Sequence, residues 1–227
     1  MARFKDREKA IKLRKQEKSY SQIKKILKVS KSTLSIWLRN YPLSKKRIRE
    51  LRDWNEQRIE NYRTTMRRKR QERLDKIYKE QRRILLPLNK REFSIAGLML
   101  YWGEGTKSRS DSLTITNSDP AIIKFFIHWL NKILSVPKNK IKVYLHLYKD
   151  MVIDKEIKYW SKIIKIPVNQ FSKPYIKKTS SKRINHKGGF GHGTCAIRIN
   201  NVSLAERVFM GIKAISDYYD KFFNART

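Results

Sequence analysis

Glu92-Phe93-Ser94-Ile95-Ala96-Gly97-Leu98-Met99-Leu100-Tyr101-Trp102-Gly103-Glu104-Gly105-Thr106 is the stretch on which the fold turns. It begins as an apolar helix and ends on an acid held between two glycines. Ala96, Leu100 and Gly103 recur at spacings of four and three and so share one face, where the small residues would let a second helix approach closely. Gly105 can terminate the helix and leave Glu104 at its end, where a hard cation or a phosphate could sit.

Working outward toward the C-terminus, the spacing predicts a strand over Leu113 to Asn117, a helix over Asp119 to Leu134 opened by Asp119-Pro120, and a strand over Lys140 to Tyr148. The last alternates cleanly. Ile141, Val143, Leu145 and Leu147 form one face, while Lys142, Tyr144, His146 and Tyr148 form a polar, basic one. A helix from Asp154 to Lys165, a strand from Phe171 to Lys178, a strand from Thr194 to Asn200 and a helix from Ser203 to Ile215 follow. The last two strands read as a second hairpin that adds Lys173, Arg198 and Asn200 to the polar face. The Lys- and Gly-rich loop between them carries Lys182, Arg183 and Lys187, and its composition suits ordering on a phosphate backbone.

The segment from Gly97 to Gly105, ending in Gly103-Glu104-Gly105 and followed by Leu113-Thr114-Ile115-Thr116-Asn117-Ser118-Asp119-Pro120, resembles the LAGLIDADG motif of homing endonucleases. The likeness covers residues 92 to 217. Tyr101 and Trp102 are bulkier than the motif's usual residues, and a helix between the first two strands departs from the usual two-hairpin order. The resemblance implies an acid at the helix end that binds a divalent metal beside a scissile phosphate, which makes Glu104 a metal ligand and Mg2+ the cofactor. Because there is one copy of the motif, it also implies a homodimer, with Ala96, Leu100 and Gly103 where the two motif helices meet. Lys107, Lys182 and Lys187 are then candidates for stabilising the charged transition state. The same scaffold also serves regulators that do not cleave. Two alternatives to a nuclease therefore stand beside it: a transcription regulator and an accessory DNA-binding protein of a mobile element.

Toward the N-terminus, residues 42 to 90 lack Gly and Pro between Pro42 and Pro87, and read as one long basic helix or two. Arg67, Arg68 and Arg70 could lie along a phosphate backbone. Before them, residues 1 to 41 supply apolar residues on three short helical stretches. In the run from Tyr20 to Leu38, Ser21 can cap one helix and Ser30 the next across a tight Lys28-Val29 connection, the pattern of a helix-turn-helix. Leu34, Trp37 and Leu38 would pack inward. Ser32, Thr33, Ser35, Ile36 and Arg39 would face a major groove, with Lys24, Lys25 and Lys31 on phosphates.

Composition bears on the partner independently. The 227 residues include 54 Lys and Arg against 20 Asp and Glu, a net charge of +34 that a polyanion would neutralise, and double-stranded DNA is the expected partner with RNA left open. No apolar run is long enough to span a bilayer, and Met1-Ala2-Arg3-Phe4-Lys5 lacks a signal peptide's apolar segment, so an intracellular, cytoplasmic chain is expected. The single cysteine, Cys195, excludes an internal disulfide and a cysteine-based zinc cluster, and His128, His146, His186 and His192 do not fall at metal-ligand spacings. The expected fold class is α+β: a helix-turn-helix (1–41), a helical connector (42–90), a LAGLIDADG-like antiparallel sheet packed on helices (91–217) and a tail (218–227).

Overall fold

A computed structural model describes residues 4–51, 54–179 and 191–224. The fold is α+β, and the chain divides into two compact units, Met1–Leu86 and Pro87–Thr227.

In the first unit, helices α1 (Phe4–Lys15), α2 (Tyr20–Leu27) and α3 (Lys31–Trp37) close on a small core of Ala10, Tyr20, Ile23, Val29, Leu34 and Leu38. Helix α2 is capped by Ser19 and not by Ser21. The reason is reciprocity: the Ser19 hydroxyl accepts from the Gln22 amide while the Gln22 side chain returns a bond to the Ser19 N–H, a box that Ser21 cannot form. Lys28 then stops α2 in the left-handed region at φ 50°, and the Ser30 hydroxyl caps α3 by accepting from the Thr33 amide at 3.0 Å.

The connector is two helices, α4 (Lys45–Glu50) and α5 (Trp54–Leu85), and the 32 residues of α5 span about 48 Å. The start of α5 belongs structurally with α1 and α2. Arg14, 3% exposed, forms a two-pronged ion pair with Glu60 at 2.9 and 3.2 Å and donates to the carbonyls of Tyr41 and Lys18. The Tyr20 ring packs against two guanidinium groups, Arg14 at 4.6 Å and Arg63 at 4.1 Å. Beyond Thr64, α5 is almost wholly exposed.

The second unit holds a four-stranded sheet of β1 (Ser112–Asn117), β2 (Lys142–Tyr148), β3 (Tyr175–Lys177) and β4 (Thr194–Asn200), in the order β1-β4-β2-β3. It is mixed, which corrects the expectation of an antiparallel sheet: β4 runs antiparallel to both β1 and β2, but β3 is parallel to β2. Helix α8 (Ile153–Ile164) lies between β2 and β3 in sequence and supplies the crossover that a parallel pair needs. The last two strands are therefore no hairpin; β4 enters the centre of the sheet. Strand β3 is also shorter than expected. Phe171 makes only an isolated bridge to Val143, and Pro174, which has no N–H to donate, stands where a continuous ladder would run.

Helices α6 (Lys90–Glu104), α7 (Pro120–Lys132), α8 and α9 (Val202–Asn224) all contribute to one core with the odd-numbered residues of β1, β2 and β4. Asp119 caps α7 by accepting from the Ala121 amide at 2.7 Å, as its position before Pro120 implies. Helix α9 continues through 218–224, where a tail was expected. Helix α6 comes close to α7 at Gly97. A Cβ on Gly97 would lie 2.0 Å from the buried Trp129 indole, whose Nε1 donates to the Ser94 carbonyl at 3.2 Å.

Two outcomes follow for stability. Gly97→Ala forces Trp129 or the α6 backbone to move and lowers the stability of the second unit by about 1–3 kcal/mol, while Gly103→Ala, with nothing within 4 Å, is neutral or gains about 0.5–1 kcal/mol; denaturant unfolding compares them. Glu60→Ala leaves Arg14 buried with its main partner gone and costs about 3–5 kcal/mol, much of it recovered in an Arg14→Met, Glu60→Leu double variant, read from hydrogen exchange of the α1 and α2 amides.

Candidate nucleic-acid interface

The core that the four helices share is built on the odd-numbered residues of the sheet, and no even-numbered strand residue among those described belongs to it. The register decides what stands there. Lys142 pairs with Arg198, Tyr144 with Ala196, and His146 with both Thr194 and Tyr175. Across β1, Thr114 pairs with Arg198 and Ser112 with Asn200. Paired residues project to the same side, so Lys142, Tyr144, His146, Tyr175, Lys177, Arg198 and Asn200 form a single polar, aromatic and basic surface.

Its cations are held in place. The Arg198 guanidinium lies 5.1 Å from the Tyr144 ring centroid and its Nε donates to the Thr114 hydroxyl at 3.2 Å. Lys177 Nζ sits 5.1 Å over the Tyr148 ring. Tyr148, expected to be open on this face, is only 6% exposed, so it serves as the floor under Lys177 and not as a contact surface. Lys173 lies exposed in the irregular segment before β3 and is not placed on the face by any strand pairing. Burial, and after it the Lys177 ammonium, hold His146 below the ordinary 6.5, so at neutral pH it presents an uncharged ring.

At the end of α6 the Glu104 carboxylate is exposed and accepts from the Asn117 amide at 3.1 Å. Asn117 is fixed in turn, its oxygen accepting from the Asp119 N–H at 2.8 Å. Gly105 follows in extended backbone, and a Cβ there would come within 2.5 Å of the Tyr101 carbonyl, so the chain leaves the helix by a path that excludes larger residues. Tyr101, bulky for the motif, is wholly buried and its hydroxyl donates to the Thr106 carbonyl at 2.8 Å, tying down the segment that carries Lys107. Among the described residues no group of three His, Cys, Asp or Glu could hold a metal. Glu104, with one hydrogen bond from Asn117, is a single exposed carboxylate, and Mg2+, which keeps its waters and is usually shared by carboxylates and phosphate oxygens, would need further oxygens from outside this chain. Lys182, Arg183 and Lys187 lie outside the described residues.

Helix α6 also has an unexpected exposed stripe: Ile95, Met99 and Trp102 are 41%, 36% and 39% exposed. Of the three residues proposed for a helix contact, Gly103 is open, Ala96 is half-buried and Leu100 packs partly on the core. In the first unit, Lys24, Lys25, Ser32, Ile36 and Arg39 are exposed and Lys31 and Ser35 half-exposed, with Leu34 and Leu38 buried behind them. Thr33 is less free: its hydroxyl lies 2.8 Å from Ser30 Oγ, within the cap. On α5, Arg67 and Arg70 share a side, while Arg68 is paired with Glu72 at 3.0 Å.

No protein-family model, no curated protein and no solved structure matches this chain. No helix among the described residues is long and apolar enough to cross a membrane. Sequence reasoning missed Tyr175, Lys177 and Thr114 as members of the face. Thr114 could have been found from the alternation of β1; Tyr175 needed the parallel register.

The lowered His146 value has a measurable sign. Below 6.5 the unfolded chain binds a proton at His146 more readily than the folded one, so this contribution is complete above that pH and lost as the pH falls through the folded value. Denaturant midpoints of the second unit should drop from neutral pH to about pH 5, and drop less in His146→Gln.

Proposed function

We propose that this chain is a sequence-specific DNA-binding protein, most simply a homodimeric, Mg2+-dependent endonuclease of the homing type. The observation that carries the reading is the even-numbered sheet face, a strip of fixed cations and rings outside the helix-packed core, together with the exposed carboxylate of Glu104 at the end of α6. The net charge of +34 supports a polyanionic partner, and the exposed Ser32 and Ile36 on α3, with Arg39 in the turn just after it and Lys24 and Lys25 nearby in sequence, suit the second helix of a helix-turn-helix in a major groove.

In this reading Lys142, Arg198 and Asn200 reach base edges or phosphates from the sheet, and Arg67, Arg68 and Arg70 follow the backbone. Two α6 helices meet through Ile95, Met99, Trp102 and Gly103, which brings the paired Glu104 carboxylates together beside the scissile phosphates. Mg2+ held there would supply an activated water and charge neutralisation at the leaving oxygen. The chain's own residues would orient this: Asn117 holds the Glu104 carboxylate through its amide, and Lys107, three residues further on, would meet negative charge developing on the phosphate. One observation favours the second reading, a non-cleaving regulator or mobile-element accessory protein on the same scaffold. Glu104 already has a neutral hydrogen-bond partner within its own chain and needs no ion to be satisfied.

Binding to duplex DNA should weaken steeply with salt, log affinity falling with log salt by about 0.9 per phosphate neutralised; a flat response would remove the nucleic-acid reading. Supercoiled plasmid libraries incubated with Mg2+ test cleavage. Glu104→Gln keeps shape, removes charge, abolishes cutting and leaves affinity without metal equal or improved, whereas a regulator cuts in neither form.

A further inference from the structure

The sheet face contains more ring surface than duplex reading requires, and the excess is concentrated at one corner. Tyr175 lies on the edge strand β3 and is 64% exposed. It stands opposite His146, their rings 5.7 Å apart and edge to face at 72°. Two residues on, Lys177 is on the same side, its ammonium held over Tyr148. We propose that Tyr175, His146 and Lys177 form a stacking site for an unpaired nucleobase, with the adjoining phosphate on Lys177; this rests on the sheet face being a nucleic-acid surface.

A paired duplex hides the flat faces of its bases in the stack and shows the groove only their edges, which are read by donors and acceptors pointing in fixed directions. A phenol ring supplies a flat apolar face and one hydroxyl, so it gains little from an edge and much from a base that has left the stack. His146 suits the role for the same reason. Held uncharged at neutral pH and propped against Tyr175, it limits the ring's freedom before any ligand arrives, which reduces the ordering cost of binding. The opposite end of the face is built differently: Lys142, Arg198 and Asn200 stand there as donors, with the Tyr144 ring occupied by Arg198. One strip thus carries an edge-reading end and a face-reading end. The preferred ligand is a distorted, bulged or single-stranded stretch next to duplex.

Fluorescence anisotropy at low salt, with one mixed DNA sequence offered as full duplex, as duplex with a single unpaired adenine, and as single strand, tests this. The full-length protein should prefer the bulged over the perfect duplex by about five-fold or more, and Tyr175→Ala should abolish the preference and weaken single-strand binding by roughly 5- to 150-fold, the range for one lost base–ring stack. Duplex affinity should fall by far less than single-strand affinity in that variant, and a thermal midpoint and far-UV spectrum equal to the parent's report that the fold is intact. Tyr175→Phe, which keeps the ring, should behave as the parent. Equal affinity of the parent for the bulged and perfect duplexes, or a Tyr175→Ala loss equal on all three DNAs, overturns the stacking site while leaving DNA binding standing. A parent protein that binds none of the three overturns the functional reading beneath it.

Discussion

The second unit depends on one close approach, the Trp129 indole lying where a side chain on residue 97 would be. With glycine there, α6 can settle against α7 over the sheet, and its direction is set by the indole's bond to the Ser94 carbonyl. Everything at the far end of α6 inherits that direction. Tyr101 reaches the core and secures Thr106, Gly105 slips past the Tyr101 carbonyl, and Glu104 arrives beside Asn117 at the end of β1. The two glycines of α6 thus differ: the space beside Gly97 is filled from within the chain, while Gly103 is left open.

The first unit is organised by a charge pair instead. Arg14 and Glu60 are 46 residues apart, and their burial makes the start of the long helix part of the three-helix cluster. Without it, Arg14 would still have the carbonyls of Tyr41 and Lys18, but nothing would draw α5 to the Tyr20 ring except Arg63. In a chain with 20 acids against 54 bases, many acids are spent in this manner: Glu92 and Asp119 cap helices, Glu156 bonds the His192 imidazole, and Asp111 accepts from Ser112. Glu104 stands instead at the C-terminal end of its helix, where its partner is the side-chain amide of Asn117 from the end of β1.

How much of this was legible depended on range. Local signals read well: the alternation of Ile141 to Tyr148, the caps at Ser30 and Asp119, and the unbroken helical composition after Pro42 all specify their own structure through neighbours a few residues away. The Ser19 cap was legible too, from Gln22 three residues later, but Ser21 was the nearer serine to the apolar run. What could not be read was pairing across distance. A strand's sequence states which residues share a face but not which strand lies beside it, so the parallel partnership of β2 with β3, and with it the place of Tyr175, had no local signature. Tyr148 shows the same limit, since alternation gave its side of the sheet correctly and its burial beneath Lys177 depended on β3.

The two borders of the sheet carry a further consequence. Along β1, Gly105 bridges Ile115 and the Thr106 amide donates to the Thr114 carbonyl at 2.9 Å, so that border is already occupied by the chain's own backbone. At the other border β3 is three residues long. Among the described residues, neither border offers a long run of unpaired amides to a strand from another molecule. A protein this basic is kept dispersed by its own charge, and a polyanion that neutralises the charge crowds copies together. Borders with so little unpaired backbone among the described residues make strand-to-strand association of crowded copies harder, a protection that lies in the backbone and is independent of the lysines.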